Sequence, residues 1–390
     1  MFYKTHGVDM KDYFPSRLAM GNRFCNRVTE QETLRRNIEL GRHTVLVSPR
    51  RYGKSSLVHK VVGDMGLPAA YIDFFMAHDD KAITLRLLNG ISDILSQIMP
   101  ISKKTLTVLE RYFVKLKLAL SVKGVSFSLS YNEREFDAVA QIHEALKGLV
   151  ALVKKQNQKV IVFIDEFQDI INAESSRAIQ GTLRGIAQEF EEIVFIFSGS
   201  SRHLLLDIFD DKAKPFYMLC DKLELDRMTS LHYHSYIQHA AIEKWGKELS
   251  DEAFKKMMSV TELHPFYINM LGNQLCKLRK LPDEVAVDQA WRQCFELEQR
   301  RLVAEIEHLT LNQQRVVKFF ARNPVMEPTA QSVLNEIKIS GASMNLCLKF
   351  LLERDLVSRV TFEDTNVPLF KKDQYRVLDP LLAYSLRQYS

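Results

Sequence analysis

The feature that most constrains this 390-residue chain is the segment Ser48-Pro49-Arg50-Arg51-Tyr52-Gly53-Lys54-Ser55-Ser56. Residues 44–47 before it read as a short buried strand, and residues 55–65 after it carry helical periodicity. Strand, basic glycine-containing loop, helix is the setting in which a loop binds phosphate. Backbone amides at a helix N-terminus point outward with partial positive charge and cradle phosphate oxygens. Gly53 lets the backbone come close, Lys54 is placed to reach β and γ phosphates, and the Ser55 hydroxyl is placed to coordinate Mg²⁺. The candidate nucleotide-binding set is therefore Ser48, Pro49, Arg50, Arg51, Tyr52, Gly53, Lys54, Ser55 and Ser56. Such loops usually open on glycine, where this chain has Ser48. Pro49, Arg50 and Arg51 make the loop stiffer and more basic than most.

Two further strand ends carry polar groups. Residues 160–164 form a run of buried apolar residues that stops at Asp165-Glu166-Phe167-Gln168. Carboxylates at the C-terminal end of a parallel strand lie where open α/β sheets bind ligands. Asp165 is the candidate to hold Mg²⁺, and Glu166 the candidate to orient and polarise an attacking water. Residues 193–197 form another such run, followed by Ser198-Gly199-Ser200-Ser201-Arg202. A serine at that strand tip, Ser198 ahead of Ser200, would contact the γ phosphate. The same sequence also suits an ordinary turn.

Around these motifs the chain reads as three parts. Over residues 1–228, strand-like runs at 44–47, 70–75, 160–164, 193–197 and 222–225 alternate with helical stretches such as 83–98 and 136–155. This predicts an α/β fold with a parallel sheet covered on both faces. Residues 229–308 show helical patterns only, with helix starts at Ser250-Asp251-Glu252 and Pro282-Asp283-Glu284. Residues 309–390 give three short helices and a strand pair whose turn spans 361–372, the outline of a winged helix-turn-helix. An insertion, 102–131, interrupts the first part. Residues 102–120 read as a basic amphipathic helix with Lys103, Lys104, Arg111, Lys115 and Lys117 against Glu110. Residues 121–131 read as strand material turning near Lys123-Gly124. That basic face is either a solvated lysine surface or a contact for phosphate backbone.

Hydrophobic residues at 46% and charged residues at 26% exclude a disordered or collagen-like chain. No apolar run approaches the ~18 residues of a membrane span, and residues 1–15 lack the apolar core of a secretory signal. No membrane partner is expected. The dispersed cysteines 25, 220, 276, 294 and 347 read as reduced thiols of a cytoplasmic protein. His232, His234 and His239 fit neither a zinc motif nor a catalytic triad. The stretch from Leu309 onward carries a net charge of only about +3, so the winged helix lacks the strongly basic face of a specific DNA reader.

Taken together, these motifs resemble the prokaryotic AAA+-type ATPase family described as predominantly archaeal. That family belongs with the STAND NTPases and is similar to the Orc/Cdc6-type initiators. Besides the loop and the acid pair, the resemblance rests on Gly21-x-x-Phe24-x-Asn26-Arg27, Pro215-Phe216-Tyr217, His264-Pro265-Phe266-Tyr267 and Tyr375-Arg376-Val377-Leu378-Asp379-Pro380. It covers nearly all of the chain beyond residue 20. It implies a P-loop core with a five-stranded parallel sheet, a helical lid and a C-terminal winged helix, with ATP rather than GTP as the nucleotide. Phe24 and Arg27 would lie near the adenine, and His264 would stand where the lid of such proteins often offers an arginine. The arginine that such ATPases place after the Pro215-Phe216-Tyr217 region is missing, and Lys214, Lys222 and Arg227 are the basic residues left nearby. The expected activity is Mg²⁺-dependent ATP hydrolysis, catalysed by Lys54, Glu166 and Ser198, that switches the lid and winged helix. The alternatives are a DNA-associated ATPase and a nucleotide-binding regulatory module with little turnover. A homo-oligomer and a DNA or protein partner are the associations this reading allows.

Overall fold

The computed structural model describes residues 13–15, 18–121, 126–131, 133, 136–367 and 370–388. The chain forms two compact units. One holds residues 27–50 and 54–225. The other holds the described residues before 27, residues 51–53 and residues from 226 onward.

The first unit is built on a five-stranded sheet of β1 (Thr44–Val47), β2 (Ala69–Asp73), β5 (Val160–Asp165), β6 (Ile193–Gly199) and β7 (Asp221–Glu224), in the order β2-β5-β6-β1-β7. Every pairing in it is parallel. β1 and β6 are buried at every position, and β5 at every position but its last, as expected of strands with helices on both faces. Each predicted strand is present: β1 has the predicted bounds, and no strand end is displaced by more than two residues. Tertiary pairing sets those ends: Asp73 pairs with Asp165, which draws β2 back to residue 73 and extends β5 to residue 165. The helices Lys54–Met65, Asp80–Ile98 and Ala138–Gln156 match their predicted positions closely.

The insertion departs from its reading. The expected basic helix over 102–120 ends at Leu109, so the observed helix is Lys103–Leu109. Residues 110–116 then turn, because Phe113 and Leu116 bury into the core of this unit. β3 (Lys117–Leu120) pairs antiparallel with β4 (Phe127–Ser130), with Leu120 opposite Phe127. A helix through residue 120 would leave β4 without this partner. On its other edge, the N–H groups of Phe127 and Leu129 donate to Ser96 Oγ (2.9 Å) and Ser92 Oγ (2.8 Å). The expected turn at Lys123-Gly124 lies outside the described residues.

In the second unit, the expected helix starts at residues 250 and 283 are capped: Ser250 accepts from Ala253 N and Asp283 from Ala286 N. Three helices, Leu311–Arg322, Gln331–Ile337 and Gly341–Glu353, precede β8 (Val357–Arg359) and β9 (Tyr375–Val377), which pair antiparallel. Helices before and after residue 308 share one apolar core: Trp291 meets the ring of Tyr384 edge-on, and Leu302, Val316 and Leu382 are buried in the same cluster. Asp379 starts the last helix, Pro380–Gln388, by accepting from the N–H groups of Leu381 and Leu382. The Asp379 carboxylate also receives Tyr267 Oη–H and Arg301 Nη2, the latter at 3.1 Å. Among the described residues, no helix is long and apolar enough to cross a membrane.

Candidate functional site

β1 delivers the loop, and two residues of the loop take left-handed backbone: Arg51 at φ 66° and Gly53 at φ 90°. A side chain at residue 53 would be strained whatever space surrounds it, which is why glycine stands there. Lys54 opens the helix Lys54–Met65 and is buried. Its ammonium donates to the carbonyls of Ser48 and Pro49, each at 3.1 Å, and reaches Ser48 Oγ at 3.4 Å. Ser48, in the place usually held by glycine, thus supplies two oxygens around Lys54 Nζ. Arg50 lies 6.0 Å from the ring centre of Phe75. Ser56 is buried in the first turn of the helix.

Next to the loop, Ser55 Oγ donates to Asp165 Oδ2 at 2.6 Å, a contact across 110 residues of sequence. The other Asp165 oxygen accepts from Ser198 Oγ and from Glu166 N, the latter at 3.0 Å. Parallel pairing of β5 between β2 and β6 brings these strand ends together. Glu166 follows in a left-handed conformation, φ 50° and ψ 41°. That bend turns the chain into the short helix Phe167–Asn172. Glu166 Oε2 accepts three hydrogen bonds: from Gln168 Nε2 at 2.7 Å, from Ser200 N at 2.9 Å and from Ser200 Oγ at 2.7 Å. The carboxylate is therefore fixed in direction. Of the two serines weighed from sequence, Ser198 meets Asp165 and Ser200 meets Glu166.

Asp73 was not foreseen. It ends β2 in register with Asp165. Burial pushes its carboxyl up, the Phe75 N–H opposes that, and the nearby Asp165 adds to it. The available signal was an acid closing an apolar strand. Arg27 is buried in left-handed backbone at the start of the helix Val28–Glu39 and pairs with Glu30 at 2.7 Å.

Loop residues 51–53 group with the second unit. There Arg51 lies 4.1 Å from the ring centre of Phe266, and the buried Tyr52 packs edge-on to His264 with ring centres 4.8 Å apart. His264 caps the helix Pro265–Leu275 through Nδ1, which accepts from Phe266 N. Burial, with Arg227 and Arg51 nearby, pushes the His264 imidazole well below its ordinary value, so it is neutral at pH 7. Arg227 is buried and donates to Tyr52 Oη at 3.1 Å, to the Glu262 carbonyl at 2.6 Å and to the Leu378 carbonyl. Glu262 is buried too, and its carboxylate meets Arg376 at 2.9 Å, Arg387 at 3.1 Å and Arg227 at 3.5 Å. Burial opposes its ionisation, but Arg376, Arg227 and Arg387 together hold its carboxyl at about 2. Glu262 and Leu263 are both left-handed, with φ 46° and 61°. Sequence gave no sign of this cluster, because Glu262 lies 114 residues from Arg376 and 125 from Arg387.

The groups in the loop region are of the kinds that can hold a nucleotide. Lys54, the amides at the helix start, and an acid tied to a serine hydroxyl are the groups that hold phosphate and a hard cation. Ser55 and Asp165 fit Mg²⁺ by donor type, since both offer oxygen.

Comparison with solved structures matches the fold. Among solved structures, a Walker-type ATPase of Pyrococcus abyssi superposes with TM-score 0.66 at 14% identity, covering 95% of this chain and 97% of that one. The ORC2 protein of Aeropyrum pernix, in ADPNP–ADP complexes, gives TM-score 0.57 at 16% identity over 97% and 96%. At these identities the likeness is one of fold. No curated protein matches the sequence. The family described as an ATPase domain predominantly from Archaea matches residues 24–271, well over half of the chain, and the chain belongs to that family.

Proposed function

We propose that the chain binds ATP with Mg²⁺ at the residue 48–56 loop and hydrolyses it, and that nucleotide state drives movement of a helical lid, residues 229–308, and a winged-helix module, residues 309–390. The observation that carries the reading is the 2.6 Å contact between Ser55 Oγ and Asp165 Oδ2. It joins the hydroxyl at the loop end to the carboxylate at the strand end, the pair that holds a cation beside phosphates in P-loop ATPases. When bound, Mg²⁺ supplies positive charge against the β and γ phosphate oxygens. Lys54 adds its own charge there. Glu166, aimed by Gln168 and Ser200, orients water and takes its proton. Ser198 is the strand-tip hydroxyl that reports the γ phosphate. Arg27 and His264 complete the nucleotide-binding set of this reading. The Aeropyrum pernix neighbour, solved with ADPNP and ADP, supports an adenine nucleotide.

The test is ATP binding and turnover in three proteins. Lys54→Ala should lose binding. Glu166→Gln should keep binding and lose turnover by about 10²-fold or more. Equal turnover in Glu166→Gln would remove Glu166 from the catalytic role.

A second reading, slow turnover in the isolated chain, is favoured by Arg227. It is the one arginine in residues 207–227, and its guanidinium is bound inside its own unit. A cation from another copy would then be needed. Specific activity that rises with protein concentration would support a homo-oligomer with a shared site. Constant specific activity would refute sharing.

A further inference from the structure

The insertion builds a basic groove that the nucleotide reading leaves unused. Residues 110–116 lie directly on the helix Ala138–Gln156. A Cβ at Gly148 would come within 2.6 Å of the Phe113 ring and of the Tyr112 carbonyl, so this close approach needs glycine. Lys115 N donates to Glu144 Oε1 at 2.6 Å and pins the turn from the other side. The result is an open groove of about 590 Å³ whose lining includes Arg111, Tyr112, Lys115, His143, Glu144 and Lys147.

Charge in the groove is one-sided. Glu144, the one carboxylate in the lining, is already engaged by a backbone amide. The side chains of Arg111, Lys115 and Lys147 are exposed, and none has an ion pair with a described residue. A lysine further along the same helix behaves differently: Lys154 pairs with Glu192. Arg111 and Lys115 come from the turn and Lys147 from the helix, so cations from both segments line the same trough. Lys103, Lys104 and Lys117 extend the exposed positive charge along the insertion.

We propose that this groove binds the phosphate backbone of nucleic acid, with DNA as the occupant. Three exposed cations along one groove suit a linear polyanion with charges at regular intervals. Contacts from lysine and arginine side chains to phosphate position a duplex and read no sequence. An acidic protein surface would call for a buried aromatic or aliphatic anchor at the centre of its interface. Here Tyr112 is half-buried against the helix, and exposed Val114 is the sole large aliphatic side chain in the lining. The inference stands apart from the ATP reading and holds or fails without it.

The experiment is fluorescence anisotropy of the full chain with labelled duplex DNA of arbitrary sequence, titrated at several salt concentrations. With three phosphates neutralised, log K should fall against log salt with a slope of about −2.7. The double variant Lys115→Glu with Lys147→Glu should bind at least tenfold more weakly, with a shallower slope. Both side chains are exposed, so its melting temperature should match the parent's. The neutral double variant Lys115→Gln with Lys147→Gln should fall in between. Absence of binding by the parent at 50 mM salt would overturn the proposal, as would unchanged affinity and slope in the charge-reversed variant. Displacement of DNA by polyglutamate at equal charge concentration would overturn the nucleic-acid assignment in favour of an acidic protein.

Discussion

Replacing Glu262 with glutamine tests the arginine cluster around this buried carboxylate in the second unit. Glu262 is 4% exposed, and its carboxylate faces Arg376, Arg387 and Arg227 at 2.9, 3.1 and 3.5 Å. Burial alone would raise its carboxyl, yet the three guanidiniums hold it at about 2 against an ordinary 4.5. At ~1.4 kcal/mol per tenfold change in proton affinity, that gap corresponds to about 3 kcal/mol of folding stability. Breaking a buried pair and leaving the cations behind costs about 3–5 kcal/mol, in the same range. Glu262→Gln should therefore destabilise this unit by about 3 kcal/mol at pH 7, a melting shift of roughly 6–12 °C for a domain of this size. The folded value lies below the unfolded one, so the stabilisation is complete above pH 4.5 and is lost as pH falls towards 2. The gap between parent and variant should shrink by more than half by about pH 3. Both tryptophans, Trp245 and Trp291, belong to this unit, so tryptophan fluorescence during urea unfolding reports on it. A loss under about 1 kcal/mol at pH 7 would refute the reasoning, because a pair this buried cannot be that weak unless solvent reaches it. So would a gap that stays constant from pH 7 to pH 3.

Two more outcomes follow from single residues. Gly148→Ala should destabilise the first unit by about 1–3 kcal/mol, because the added methyl meets the Phe113 ring and the Tyr112 carbonyl; a melting temperature equal to the parent's would show that the turn yields freely. His264, neutral in the folded chain at pH 7, should take up its proton by NMR well below the ordinary imidazole range. A proton taken up near pH 6.5 would contradict its burial beside Arg227 and Arg51.

Legibility in the sequence followed the range of the forces involved. The loop, the acid pair and the sheet could be read because each is local: an apolar strand run, a polar residue at its end, a helix start. Parallel pairing then turns those strand ends into one site, and Ser55, Asp165 and Ser198 meet as the topology requires. The insertion was misread because lysines at helical spacing carry no information about Phe113. Burial of that ring against the helix Ala138–Gln156 ended the helix at Leu109. The Glu262 cluster and the place of Tyr52 were hidden for a related reason. Arg376 and Arg387 lie more than a hundred residues from Glu262, as Arg227 does from Tyr52, and nothing in the local pattern marks them.

Tyr52 also explains how a phosphate loop could be felt elsewhere in its unit. It is one residue before Gly53, whose φ of 90° would strain a side chain. Its ring is buried against His264, which caps the helix Pro265–Leu275, and its hydroxyl receives Arg227. The same guanidinium holds the carbonyl of Leu378, the residue after β9, and the carbonyl of Glu262. A change in loop backbone that displaces Tyr52 would thus break a buried hydrogen bond to a charged donor, worth about 1.5–3 kcal/mol. It would also disturb, through that one donor, both the helix that His264 begins and the strand pair at the C-terminal end. Tyr52→Phe separates the two parts of this contact, since it keeps the ring and removes the hydroxyl. If the hydroxyl carries the coupling, ATP should still bind to Tyr52→Phe but should no longer alter the protease sensitivity of residues 357–388. Unchanged ATP-dependent protection in that variant would rule out this route.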